Sequence, residues 1–200
     1  MLRPLIVMLA LLASACVSER PLPVRYDLEE DFAPAPLAPR FKATIAVPPI
    51  QAPSWLRTTA LVYRLDYEPA APPRAYTLER WTAPPSELFT LRLRARIAAS
   101  NDGFTLDRLP GGADGYRLEV TLEDFMQSFP SPGRSRCVVT LRASLFQQGG
   151  QVIAQRTFRA ERPAPSPDAI GAVQGLAAAS DAGVDEILIW LASSLRPNGR

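Results

Sequence analysis

The chain contains no histidine, and its two cysteines are Cys16 and Cys137. Without imidazole there is no Ser-His-Asp relay, no Cys-His pair and no histidine ligation of a metal. Lysine is nearly as scarce: Lys42 stands alone, so almost all positive charge is arginine, which with the many alanines and prolines fits a GC-rich genome. Formal net charge is only +2, too balanced to single out nucleic acid or a strongly anionic surface as partner. No G-x-x-x-x-G-K-[ST] loop occurs anywhere, so this chain by itself has no phosphate cradle for ATP hydrolysis. These absences predict a protein that is not an enzyme and that needs no cofactor and no metal.

What is present begins at the N-terminus. Arg3 is followed by an apolar run at residues 5–12 and then by Ala13-Ser14-Ala15-Cys16. A basic start, a short apolar segment and small residues before a cut site describe a secretory signal. The run is too short to span a bilayer as a permanent helix. A cysteine at the cut resembles a bacterial lipoprotein signal, in which the Cys16 thiol is acylated and becomes the new N-terminus. An ordinary signal cleaved near an incidental cysteine is the plainer alternative. Val17 is not the Asp that retains such proteins in the inner membrane, which favours the outer one.

Three segments are therefore expected: a signal peptide at 1–15, a lipidated cysteine with a proline-rich tether at 16–40, and one domain at 41–196. Removing the signal leaves 200 − 15 = 185 residues, enough for one sizeable core. Within the tether only Arg25-Tyr26-Asp27-Leu28 looks strand-like, while Pro34, Pro36 and Pro39 favour extended chain. With Cys16 acylated, Cys137 has no disulfide partner, and beside Val138-Val139 it reads as a small buried hydrophobe.

Within the domain, residues 43–50, 60–65 and 75–81 read as strands, the first closed by Pro48-Pro49. Pro84-Pro85 suit a helix start, with Leu88, Leu91, Ala95 and Ala98 as its apolar positions over 84–99. Tyr116, Leu118, Val120 and Leu122 alternate with polar residues, as do Val139, Leu141, Ala143 and Leu145. Gly149-Gly150 then fits a two-residue hairpin turn, which would pair Leu145 with Ala154, Leu141 with Phe158, Ser144 with Gln155 and Arg142 with Thr157. A long helix is expected over 168–195, capped by Ser166, with an apolar stripe through Ile170, Val173, Ala177, Val184, Ile187, Leu188 and Leu191. Gly171, Gly175, Ala179 and Gly183 recur every four residues, a small-residue groove for close packing on the sheet or for pairing helices. The fold expected is α+β: a single domain with a mostly antiparallel sheet and two helices packed on one face.

Tyr26-Asp27-Leu28, the strand at 43–50, Leu61-Val62-Tyr63-Arg64, Leu78-Glu79-Arg80-Trp81 with a helix after it, meandering strands and a last helix follow the lipoprotein-like signal in that order. This ordered set resembles the ABC-type transport auxiliary lipoproteins, the PqiC-like group that accompanies MCE-domain lipid transport systems. The resemblance implies a lipid-anchored adaptor subunit at the outer membrane, facing the periplasm. Its partner would be the MCE-domain protein, coupled to an inner-membrane permease and ATPase, and several copies could assemble around the transporter tip. Nucleic acid is not an expected partner.

Candidate partner-binding residues are Trp55, in an exposed-looking turn, with Arg80 and Trp81, which match the family pattern. Trp and Arg are over-represented where interface energy concentrates, although Trp81 equally suits a core position where strand passes into helix. Arg92, Arg94 and Arg96 suggest either a solvated face or a surface for an acidic partner or headgroups. Glu119, Glu123 and Asp124 are water-facing strand carboxylates rather than an acid–base pair. Two other functions compete: a periplasmic lipid-binding carrier with an apolar groove between sheet and helices, and a structural envelope lipoprotein unrelated to transport.

Overall fold

The computed structural model describes residues 21–28, 39–70 and 72–195. The signal segment, Cys16 and residue 196 therefore lie outside the described residues.

Two long antiparallel strands, β6 (Tyr116–Ser131) and β7 (Arg134–Gln147), form the spine of an eight-stranded sheet, in which β8 (Val152–Pro163) pairs with the outer side of β7. The other side of β6 is shared. Its N-terminal end takes β2 (Thr44–Ala46) in parallel, with β5 (Phe104–Leu106) beyond it. Its C-terminal end takes β3 (Ala60–Leu65) in parallel, followed by antiparallel β4 (Arg74–Trp81) and then β1 (Val24–Tyr26), parallel to β4. Most residue pairing is antiparallel, because the β6–β7–β8 meander is much longer than the parallel joins. Helices α1 (Pro85–Ser100) and α2 (Ala169–Ser194) share one hydrophobic core with the sheet.

The hairpin register follows the residue chemistry. Leu141 opposes Phe158, Arg142 Thr157, Ser144 Gln155 and Leu145 Ala154, as the glycine turn requires. Gly149 and Gly150 have φ of +92° and +89°, a region that L side chains rarely adopt. Strand β6 continues to Ser131, well past the alternation that ends at Leu122, and a bulge between Leu122 and Asp124 resets its phase. Inward positions then continue through Phe125 and Gln127.

The first helix turns another face inward than simple periodicity indicates, whereas the second keeps most of its expected stripe inside. On α1 the buried apolar residues are Leu88, Phe89, Leu93 and Ile97, whereas Leu91, Ala95 and Ala98 are exposed. Arg92 and Arg96 occupy the inward face, so alanine lies outside and arginine inside. On α2, Val184, Ile187, Leu188 and Leu191 are fully buried as expected, and Val173 and Ala177 pack at the core's margin. Ile170 alone of the stripe is exposed, at 56%, and the small residues Gly171, Gly175, Ala179 and Gly183 are buried as well. A Cβ on Gly175 would lie 2.5 Å from Cys137 Sγ, and one on Gly183 3.0 Å from Leu141 Cδ1. The glycine groove thus seats α2 on β7. Its cap is Asp168 rather than Ser166: the Asp168 carboxylate accepts from the Gly171 N–H at 2.8 Å, and the Ser166 hydroxyl donates to that carboxylate. Trp190, unremarked in the sequence, packs edge-on against Phe158 at 5.7 Å.

Candidate functional site

The two short motifs carrying the family resemblance lie side by side. Val24 pairs with Glu79, Arg25 with Arg80 and Tyr26 with Trp81. The Thr82 N–H continues the ladder to Tyr26 O at 2.8 Å, and the Thr82 hydroxyl donates to Asp27 at 3.0 Å. Asp27 also accepts from the Leu28 N–H at 2.7 Å, and Leu28 is fully buried in the core. Part of the stretch expected as tether is therefore built into the domain. The strand pairing supplies direction, and Leu28 supplies apolar area that water would otherwise cover.

Arg92 completes this seam. It is 2% exposed and donates to the Leu28 carbonyl with Nη1, while Nε and Nη2 donate to Asp181 Oδ1 of α2 at 3.0 and 2.5 Å. Arg96 pairs with Asp181 at 3.3 Å and also with Asp185. Arg94 donates to Val47 O at 2.8 Å and pairs with Asp107 at 2.8 Å. Neither expectation for these arginines holds as stated: for Arg92 and Arg96 the acidic partner is this chain's own second helix. Sequence offered one signal for it, Asp181 and Asp185 four residues apart on α2, matching Arg92 and Arg96 on α1.

The three expected docking residues part company. Trp81 is fully buried, edge-on to Phe125 at 5.5 Å, with its backbone N–H on Thr59 O at 2.8 Å. It anchors the core where β4 leaves for α1, so its ring offers a partner nothing to touch. Arg80 is half-buried, its guanidinium donating to the carbonyls of Tyr76 and Glu79. Trp55 lies half-buried in a single 3₁₀ turn, Ser54–Leu56, whose Leu56 plugs the core. The turn leads directly into β3, where Ala60 pairs with Arg80, so Trp55 and Arg80 belong to the same end of the β3–β4 pair.

The polar groups that might have formed a reactive site are committed elsewhere. Glu119 pairs with Arg117, Glu123 with Arg142 at 3.2 Å and Asp124 with Arg159 at 3.8 Å. Burial pushes the Cys137 thiol up to about 12, and its sulfur sits 3.4 Å from Ala172 O. A polar chain not legible in the sequence joins sheet to helix. The Tyr76 hydroxyl donates to Gln127 Oε1 at 2.5 Å, and Gln127 Nε2 reaches Ser135 Oγ at 2.9 Å and Ser166 O at 3.3 Å. Burial raises the Tyr76 phenol well above its ordinary value, which keeps it a neutral donor. Among the described residues no three His, Cys, Asp or Glu side chains cluster as metal ligands.

This paired seam of Tyr26 and Trp81 falls within the residues, 26–188, that match the model of the ABC-type transport auxiliary lipoprotein component. The chain belongs to that family. The fold is shared with a crystal structure of a DUF330 protein from Xanthomonas campestris at a TM-score of 0.73, 18% identity, covering 86% of this chain and 96% of that one. A second crystal structure, of an uncharacterized protein, aligns at a TM-score of 0.64 and 18% identity over 86% of this chain and 99% of that one. No curated protein matches the sequence.

Proposed function

We propose that this family member is a lipid-anchored adaptor: Cys16 carries acyl chains in the outer membrane, and the domain holds the MCE-domain component of an ABC-type lipid transport system in the periplasm. It acts by binding and not by catalysis. The observation that carries the reading is the seam of β1 with β4. It turns the stretch after the cysteine from a long free tether into a short leash. Residues 17–23 separate Cys16 from β1, a reach of at most roughly 29 Å at full extension. The 26-residue helix α2 is longer than that, about 39 Å at 1.5 Å per residue. A leash shorter than the domain keeps one end of the sheet beside the bilayer and points the rest toward the transporter. Partner contact is assigned to Trp55 and Arg80, with Trp81 holding the surface beneath them.

Crosslinking in cells, followed by capture of this chain, is expected to recover an MCE-domain protein, and Trp55→Ala or Arg80→Ala to reduce that recovery. Recovery of peptidoglycan alone, or of phospholipid with no protein, would replace the adaptor reading with a structural or carrier role. Mass spectrometry of the mature N-terminus tests the anchor separately: an unmodified Cys16 would remove it. Cys16→Ser is expected to release the chain into the soluble fraction.

A further inference from the structure

One end of the sheet combines three features, of which the adaptor reading uses only the second. First, Arg134, Arg136 and Arg162 line a shallow cavity of about 290 Å³ with Ser135 and Pro130, against a single carboxylate, Glu161. The lining charge is 3 − 1 = +2. Arg134 is exposed and has no charged partner among the described residues, while Arg136 Nε lies 3.3 Å from Glu161 but is not aligned to donate to it. Second, β1 enters the sheet from this end. It runs parallel to β4 and joins it at Val24–Glu79, so the chain before Val24 comes from the side where β4 begins at Arg74, which lies beside Tyr63, next to Gln127 and Cys137 and so one position from Arg136. Third, the β3–β4 connection carries Tyr67, 43% exposed, to the same end, where the Asp66 N–H donates to Phe129 O at 2.9 Å. A tyrosine beside arginines is the composition favoured at a membrane interface.

We propose that this end of the sheet rests on the bilayer holding the Cys16 acyl chains, and that Arg134, Arg136 and Arg162 grip the phosphodiester of an anionic phospholipid there. This rests on the reading of Cys16 as lipidated. The short leash supplies high local concentration, so a few guanidiniums suffice to orient the domain. Arginine suits the task because its planar fork meets two phosphate oxygens at once.

The test uses the polypeptide 17–200 without acyl groups, which retains every described strand and helix. It is sedimented with vesicles of phosphatidylcholine alone and of phosphatidylcholine with phosphatidylglycerol. Retention is expected on the anionic vesicles only, and high salt should release it. Arg134→Gln is expected to weaken binding about fivefold and Arg134→Gln/Arg162→Gln about 25-fold, with Arg108→Gln, on the β5–β6 loop, leaving it unchanged. Equal binding to both vesicles, no binding, or a loss as large with Arg108→Gln would overturn the proposal. So would a weakened capture of the MCE-domain protein by Arg134→Gln with vesicle binding intact, which would make the patch a protein contact. Inorganic phosphate binding that depends on Arg134 in the absence of any vesicle binding would make it a free-anion pocket and overturn it too. Because the assay contains no acyl group, its failure sinks the headgroup contact alone, whereas an unmodified Cys16 sinks the anchor.

Discussion

Arg92 and Asp181 join the two helices through two hydrogen bonds to one carboxylate oxygen, while the third arm of the same guanidinium holds the carbonyl of Leu28. One buried side chain thus ties the N-terminal segment, α1 and α2 together. Asp181 remains 41% exposed, so water lowers the desolvation cost that a fully enclosed pair would carry.

Removing the carboxylate should therefore be felt well beyond the helix pair. Asp181→Ala takes one hydrogen-bonded counter-charge from Arg92 and one from Arg96, at a cost of about 1–3 kcal/mol. Urea denaturation reads this directly, and Arg92→Met/Asp181→Ala should lose less than the two single variants summed. Strict additivity would mean that the pair is not coupled.

Gly175 marks the closest approach of α2 to the sheet. Gly175→Ala places a methyl 2.5 Å from Cys137 Sγ and 3.2 Å from its Cβ, which must push the helix from its seat. The expected loss is about 1–3 kcal/mol, smaller in a Cys137→Ala background where the sulfur is gone. An unchanged melting temperature would contradict the packing described here.

The tryptophans should separate stability from binding. Trp81→Ala opens a cavity beside Phe125 and is expected to cost about 3–5 kcal/mol of folding stability. Trp55→Ala removes only a half-buried ring, so its main effect falls on partner capture, weaker by roughly five- to thirtyfold if Trp55 carries 1–2 kcal/mol of the interface. Equal effects of both variants on capture at matched stability would argue against that division.

Cys137 should resist alkylation in the native protein at pH 8, because burial holds its thiol protonated up to about 12. Denaturant should expose it to rapid labelling. Quick native labelling would mean that α2 lifts from the sheet far more readily than its packing allows.

Acid should weaken the fold through carboxylates held below their ordinary range. Burial alone would raise Asp66, but hydrogen bonds from Ser128 and Arg64 outweigh it and lower the value. Asp168 is lowered by the Gly171 N–H and the Ser166 hydroxyl. For a group whose folded value lies below its unfolded one, the stabilisation is complete above the unfolded value, about 4, and disappears as pH falls through the folded one. Melting temperature should therefore drop on acidification below about pH 4. Asp168→Ala and Asp66→Ala should each flatten that drop, and melting curves taken across this range will show it.

Much of the architecture was legible because it follows local rules. Proline at 84 and 85 starts α1, paired glycines close the β7–β8 turn, and alternation from Tyr116 onward marks the sheet. The order of short motifs was enough to place the chain near its family. The site was less legible. Arg92 and Arg96 look like solvent-facing residues in one dimension, whereas in the fold Asp181 and Asp185 approach them across 85–89 residues and help to compensate their burial. The bulge after Leu122 hid the second half of β6 for a related reason, since periodicity cannot follow a phase change.

Composition alone decided that no histidine chemistry is available, that charge is nearly balanced and that the chain can fill one core. Those properties belong to residues one at a time or to near neighbours. Which end of the sheet receives the N-terminal segment, which tryptophan is hidden and which glycine meets Cys137 were settled only by tertiary structure. Each depends on contacts between residues far apart in the chain, where close packing leaves one arrangement with its polar groups paired and its apolar groups covered.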